Sequence, residues 1–286
     1  MRLLFFVLLI FSFDVQSKIP EPGYGLPELA SEARIKELNS KKRAKVMTPS
    51  VQRKMQRVLE ALDEAGILEQ EQALLKKEKK DKEAEAKDKE IAKAIANGQR
   101  ELDDLKTRLA SLQSYDRSMY YYYSAYYNLA YQDKISEAMN NYVKLVAEKD
   151  TAEKLRVNAY YVLAQLYLSE SNYQSGLDYL LRWFKNTAEV NPDGYVLLGQ
   201  AYYLLADKES TKSKVLASYQ KAYNNMVEAK RLADEKQIRF RENWYSLLLA
   251  SMGELDLKNE QVPVYEEILE LSLIHISEPT RPLLIS

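Results

Sequence analysis

The side chains behind most enzymatic acyl and proton transfer are nearly missing from this sequence of 286 residues: it has no cysteine and a single histidine, His275. A thiol nucleophile is excluded, and an imidazole base or a zinc site would have only that one histidine to draw on. Carboxylates are plentiful, 42 Asp and Glu against 41 Lys and Arg, but they stand in lysine-mixed runs such as KKEKKDKEAEAKDKE at 76–90. Such runs make a solvated helix surface rather than a paired acid and base. Neither GxxxxGK[ST] nor GxGxxG occurs, so no phosphate-binding loop is signalled. A net charge of -1 gives no overall attraction to nucleic acid or to an anionic membrane. The expectation is a chain that is not an enzyme and that uses no cofactor or metal.

Tyrosine is what remains. The chain has 22, and Tyr120 to Tyr123, Tyr126, Tyr127 and Tyr131 cover more than one face of any helix they form. Core packing absorbs some of them, such as Tyr121. The others can meet a protein partner, because tyrosine offers contact area and a hydroxyl at low entropic cost.

The elements that position these residues are expected to be helices. Gly and Pro number only 8 each, too few for an all-β chain with a turn every ~8–12 residues. At the N-terminus, Arg2 precedes an apolar run of 11 residues, Leu3 to Phe13, and Val15-Gln16-Ser17 resembles a cleavage site. That pattern predicts a signal peptide over 1–17, too short to span a bilayer, and hence a periplasmic protein with no membrane span after cleavage. No cysteine follows that could carry a lipid. At the other end, 271–286 reads LSLIHISEPTRPLLIS. This resembles a translated sequencing-library adapter, with Pro282 to Leu284 covering an index and Ile285-Ser286 resuming the adapter. The expectation is read-through: His275 is then not a natural residue, and the natural chain continues past Glu270.

Between the ends, 18–49 is expected to be a flexible, solvated tether. Pro20, Pro22, Pro27, Gly23 and Gly25 oppose regular structure at its start, and Lys41, Lys42, Arg43 and Lys45 form a basic cluster. A charged helical hairpin is predicted over 50–113. It starts with Thr48 as N-cap and Pro49 in the first turn. Val51, Met55, Val58, Leu59 and Leu62 form its apolar stripe, and Gly66 ends its first helix. A turn is expected near Asn97-Gly98. Leu102, Leu105, Leu109 and Leu112 then make a seam of two heptads, which leaves self-association through 91–112 open.

From Ser114 a repeat sets in. Tyr160, Leu163, Ala164, Tyr167, Tyr173 and Gly176 stand where a tetratricopeptide unit has its large, small and aromatic positions 4, 7, 8, 11, 17 and 20, although Trp183 takes the small position 27. Tyr195, Leu198, Gly199 and Tyr202 open a further unit. Its Ala222 and Ala229 fit only if Asp207 to Lys214 enlarge the turn. Tyr121 and Ala125 with Ala138 and Tyr142 form an earlier unit, and Trp244 and Leu247 with a helix over Gln261 to Glu270 a later one. The predicted fold is all-α, a helix-hairpin solenoid of about four imperfect units over 114–270, preceded by the charged coiled-coil segment. The helix positions that face a tetratricopeptide groove hold Tyr122, Tyr126, Tyr161, Gln165, Gln200, Tyr203 and Tyr245, the candidate partner-binding residues.

The order LAQLY, LLRWF, LLGQAYY, ENW over 114–270 resembles the periplasmic tetratricopeptide proteins encoded beside TonB, ExbB and ExbD in gammaproteobacteria. KVMTPSVQRKMQRVLEALDEAG, from Lys45, adds to the likeness. The resemblance implies an accessory scaffold of TonB-dependent energy transduction, with TonB or associated envelope proteins as partners. A Tol-type envelope or cell-division coordinator is the neighbouring alternative. Accessory repeats of an envelope enzyme whose catalytic part is missing, lying past Glu270 in the natural chain, are the alternative of a different class.

Overall fold

The computed structural model describes residues 23–40 and 45–277, with side chains as far as Glu270. The expected signal peptide, three residues of the basic cluster (Lys41, Lys42, Arg43) and the side chains of 271–286 lie outside the described residues. Among those described, every regular element is helical. They run α1 (Glu32–Asn39), α2 (Pro49–Lys77), α3 (Asp81–Thr107), α4 (Ser114–Ala130), α5 (Ile135–Ala147), α6 (Glu153–Ser169), α7 (Tyr173–Asn186), α8 (Pro192–Ala206), α9 (Lys212–Glu235), α10 (Glu242–Glu254) and α11 (Lys258–Ser277). From α2 onward, consecutive helices pack in pairs, as a helical repeat requires. The chain divides into two compact units. One holds α1 to α7; the other joins α8 to α11 with Gly23 to Leu26.

In the first unit, Val51, Met55 and Val58 of α2 meet Leu102 and Leu105 of α3, and Tyr120 and Tyr127 of α4 close the core. The leucine seam that left self-association open packs within the chain, with Leu109 and Leu112 partly buried against the same core. The predicted stripe also shifts: Leu59 is exposed, and Ala61 and Ala65 take the buried positions beyond Val58. Charges stitch the outside of the pair. Glu101 meets Lys54 Nζ at 3.1 Å and Arg57 Nε at 2.9 Å, and Lys87 meets Glu71 at 2.8 Å.

Two expected breaks in this hairpin are corrected. The first helix does not stop at Gly66 but runs to Lys77. Nor does the chain turn at Asn97-Gly98: the turn is at Lys79, and Gly98 is buried inside α3. Gly98 serves packing instead. A Cβ there would lie 1.7 Å from the hydroxyl oxygen of Tyr127 and 3.1 Å from Ala61 Cβ. Tyr127 is fully buried, its hydroxyl has no hydrogen-bond partner, and burial pushes its pKa up to about 12.

The later pairs follow the same rule. Leu163, Ala164, Leu198, Ala222 and Ala229 are completely buried. At Gly176 an added Cβ would meet Leu168 at 2.8 Å and the Ala164 carbonyl at 3.2 Å; at Gly199 it would meet Met226 Sδ at 2.9 Å. Small residues stand where the helices cross because nothing larger fits. Trp183 breaks the small-residue pattern by lying against Tyr161 and Phe184, with ring centroids 5.1 and 4.9 Å away. The insertion in the third unit does not enlarge its turn. The turn is only 207–211, Thr211 caps α9 with its hydroxyl accepting from the Lys214 amide, and the extra residues lengthen α9 to 24.

Five helix ends share one device. Lys79, Asp133, Ser171, Gln237 and Asp256 adopt positive φ between 51° and 60°. The amide after each returns to a carbonyl of the closing helix, as Lys80 does to Leu75, Asn172 to Tyr167, Ile238 to Ala233 and Leu257 to Met252. This is the left-handed helix stop that glycine usually supplies.

Thermal unfolding checks these crossings and helix stops. Gly98→Ala lowers stability by about 1–3 kcal/mol. Tyr127→Phe leaves Tm unchanged or raises it, because no hydrogen bond is lost. A tolerated alanine at 98 would refute the close approach. Ser171→Gly and Asp256→Gly each stabilise by about 0.5–1 kcal/mol, since glycine adopts the left-handed conformation without the Cβ penalty; a fall in Tm for both would rule out that helix stop.

Candidate functional site

The residues expected to line a partner groove separate by exposure. Tyr126, Gln165 and Gln200, at one equivalent position of three successive pairs, are exposed. Tyr122, Tyr161 and Tyr203 are half-buried. Their rings lie 5.2 Å from Tyr123, 5.1 Å from Trp183 and 5.2 Å from Tyr219 respectively. Burial raises the Tyr203 pKa. Tyr245 is a correction. It is 3% exposed, its ring packs on Phe240, and its hydroxyl donates to Glu267 of α11 at 2.7 Å. Burial first, then the hydrogen bond to Glu267, raises its pKa. With α11 over it, Tyr245 cannot face a partner.

A second surface lies on α4, turned away from Tyr126. There α3, α4 and α5 enclose a polar cleft of about 480 Å³. Ser124 and Asn128, four residues apart on α4, share one wall, and Glu137, Asn140, Asn141 and Lys144 of α5 form the other. Gln99, Asp103 and Lys106 of α3 lie along its floor. Gln132 donates to Gln99 at 2.7 Å, Gln99 donates to Asp103 at 2.9 Å, and Lys144 sits 5.9 Å over the Tyr121 ring. The Ser124 hydroxyl is buried without a partner.

The walls are held at the end away from the α4–α5 turn. Arg117 donates through Nε and Nη2 to the two oxygens of Glu148, at 2.6 and 2.8 Å, and Ser114 donates to Glu148 at 2.8 Å. The hydrogen bond from Arg117 holds the Glu148 carboxyl below the usual carboxylate range. Arg156 of α6 donates to the carbonyls of Val146 and, at 2.9 Å, Glu148, closing the end of α5. Asp116, 1% exposed, accepts from the amide and hydroxyl of Thr48 at 3.0 and 2.9 Å, which ties the start of α2 to α4.

The N-terminal segment is no solvated tether where it is described. In the unit that holds α8 to α11, Asn224 and Asn225 of α9 donate to the carbonyls of Tyr24 and Gly25, at 2.9 and 3.1 Å. Gly25 has φ +79°, and a Cβ there would fall 2.2 Å from Lys221 Cγ. Tyr24 and Tyr202 both present their rings to Lys221, 5.5 and 5.3 Å from its ammonium. In the other unit, Ala30 donates to the Phe184 carbonyl at 3.1 Å, and Arg34 of α1 reaches Asn186 at 3.1 Å and Glu153 at 2.6 Å. Proline and glycine prevent regular structure here without preventing docking.

Among the described residues, no group of three or more His, Cys, Asp or Glu is placed to hold a metal, and no helix is long and apolar enough to cross a membrane. The architecture defines an all-helical protein of chain-adjacent helix pairs. No family model matches the chain, and neither a curated protein nor a solved structure matches it.

Sequence reasoning missed both asparagine sets. Asn128, Asn140 and Asn141 stand beside conspicuous tyrosines. Asn224-Asn225 lies inside a helix, where asparagine is unfavourable and so marks a polar task. Glu148→Gln should cost about 1–3 kcal/mol at neutral pH. Because the Glu148 pKa is depressed by folding, its contribution is present above the ordinary glutamate value and is lost as pH falls through the depressed one. Urea denaturation at pH 7 and pH 3 checks this: the gap between parent and variant should shrink at pH 3, and a constant gap would show that the charge is not the cause.

Proposed function

We propose that this chain is a non-catalytic, exported scaffold of the bacterial envelope that binds segments of partner proteins. One observation carries the reading: α9 already holds another stretch of the chain by its backbone, with Asn224 and Asn225 gripping the Tyr24 and Gly25 carbonyls of the turn at 23–26. Such contacts meet the backbone of the held segment, which any partner segment also presents. The tetratricopeptide assignment is supported by small residues at the helix crossings, Gly176 and Gly199 among them. In the unit spanning 27–190, the exposed Tyr126 and Gln165 then offer an adaptable contact surface.

The resemblance over 114–270 favours TonB-dependent energy transduction as the setting, in the periplasm, with TonB or its associated envelope proteins as partners. The test is saturable binding of the periplasmic domain of TonB to the immobilised chain. Tyr126→Ala with Gln165→Ala should weaken binding by about tenfold or more, a loss of ~1.4 kcal/mol, with unchanged circular dichroism. No binding of TonB beside clear binding of a Tol-system protein would move the chain to the Tol setting. Binding to neither sinks the scaffold reading.

A further inference from the structure

We propose that the cleft between α3, α4 and α5 is a binding site for an extended, carboxylate-bearing peptide segment. The proposal rests on the scaffold reading and assigns it a second, chemically distinct site, facing away from Tyr126 on α4.

Hydrogen-bonding capacity is the first argument. Among the described residues, the side chains of Asn128, Asn140 and Asn141 have no hydrogen-bond partner in the chain, although all three line the cleft. The Ser124 hydroxyl, in a residue only 8% exposed, is likewise unpaired. A buried hydroxyl without a partner has lost its water and gained nothing in exchange, so a ligand that pairs it recovers that loss. Each amide offers a donor and an acceptor, and a peptide backbone presents both.

Spacing is the second argument. Ser124 and Asn128 on α4, like Glu137 and Asn141 on α5, are four residues apart. On a helix that is a rise of about 6 Å. Two residues of an extended chain span about 6.6 Å. Polar groups four apart on either wall therefore meet alternate residues along one edge of an extended segment.

Charge is the third. Lys106, Lys134 and Lys144 line the cleft against Asp103 and Glu137. Asp103 is already engaged by Gln99. The balance favours carboxylates on the ligand. The aromatic rings argue against a sugar: Tyr120 is 6% exposed, and Lys144 lies over Tyr121, so neither presents a free stacking face.

The probe is the hexapeptide acetyl-(Gly-Glu)₃-amide, titrated into the full chain and followed by its side-chain amide NMR signals. Its glutamine counterpart and chitotetraose serve as comparisons. The expected result is saturable shifts at Asn128, Asn140 and Asn141, with binding at least threefold weaker for the glutamine peptide. Ser124→Ala, which breaks no hydrogen bond, should keep Tm and weaken binding about three- to tenfold. Lys134→Glu should weaken it while leaving the circular dichroism unchanged. Shifts confined to other residues, equal binding of the glutamine peptide, or shifts with chitotetraose and none with the peptide would each overturn the proposal. Failure here with TonB binding intact removes the cleft and keeps the scaffold; failure of TonB binding with these shifts present does the reverse.

Discussion

The structure depends on how closely two helices can approach, and that distance is set by residues with little or no side chain. Gly98 lets Tyr127 reach the backbone of α3, Gly176 admits Leu168, and Gly199 admits Met226. Ala65 and Ala84, each at most 1% exposed, do the same where the charged hairpin has nothing larger to bury. Close approach brings many atoms into van der Waals contact at once, which compensates for modest side-chain volume. It also exacts a cost, since a tyrosine driven that deep loses its hydrogen-bonding options, as the orphan hydroxyl of Tyr127 records.

With the crossings fixed, polar joints fix the ends. The Asp116 carboxylate accepts two bonds from Thr48, Glu148 accepts three from Arg117 and Ser114, and Arg156 closes the carbonyl end of α5. A helix held at its crossing can still swing; one held at its end as well cannot. The cleft between α3, α4 and α5 is therefore bounded by walls of fixed spacing. Pre-set walls bind with less ordering cost than mobile ones.

Much of this was legible in the sequence, and the misreadings share a cause. Apolar periodicity marked the first half of α2 and the second half of α3, because burial on one face forces that spacing, and the tetratricopeptide pattern marked the repeat helices. The small residues Ala164, Gly176 and Gly199 were legible as crossings for the same reason. The hairpin turn was not, because Lys79 occupies the left-handed position that a glycine would have announced. Gly98, which did look like a turn, answers to Tyr127, some thirty residues along the chain and invisible to any local rule. Likewise 23–26 looked like linker, since its contacts are with Lys221, Asn224 and Asn225, two hundred residues away. Tyr245 was placed on the correct helix but given to a groove, when α11 covers it.

The asparagines bear on function more than the tyrosines do. A tyrosine surface recognises shape and area, and much of it here is consumed by packing between helices. An amide that grips a carbonyl meets backbone rather than side chain, so the Asn224 and Asn225 amides hold the Tyr24 and Gly25 carbonyls of the turn at 23–26 while Lys221 meets the Tyr24 ring. Selectivity must then come from elements the amides do not supply. At Gly25 it is steric, because Lys221 leaves no room for a Cβ. In the cleft it would be electrostatic, because lysines outnumber acids along its walls. On the proposed scaffold reading, backbone grip, which is general and weak, would combine with one local filter at each site to set the partner.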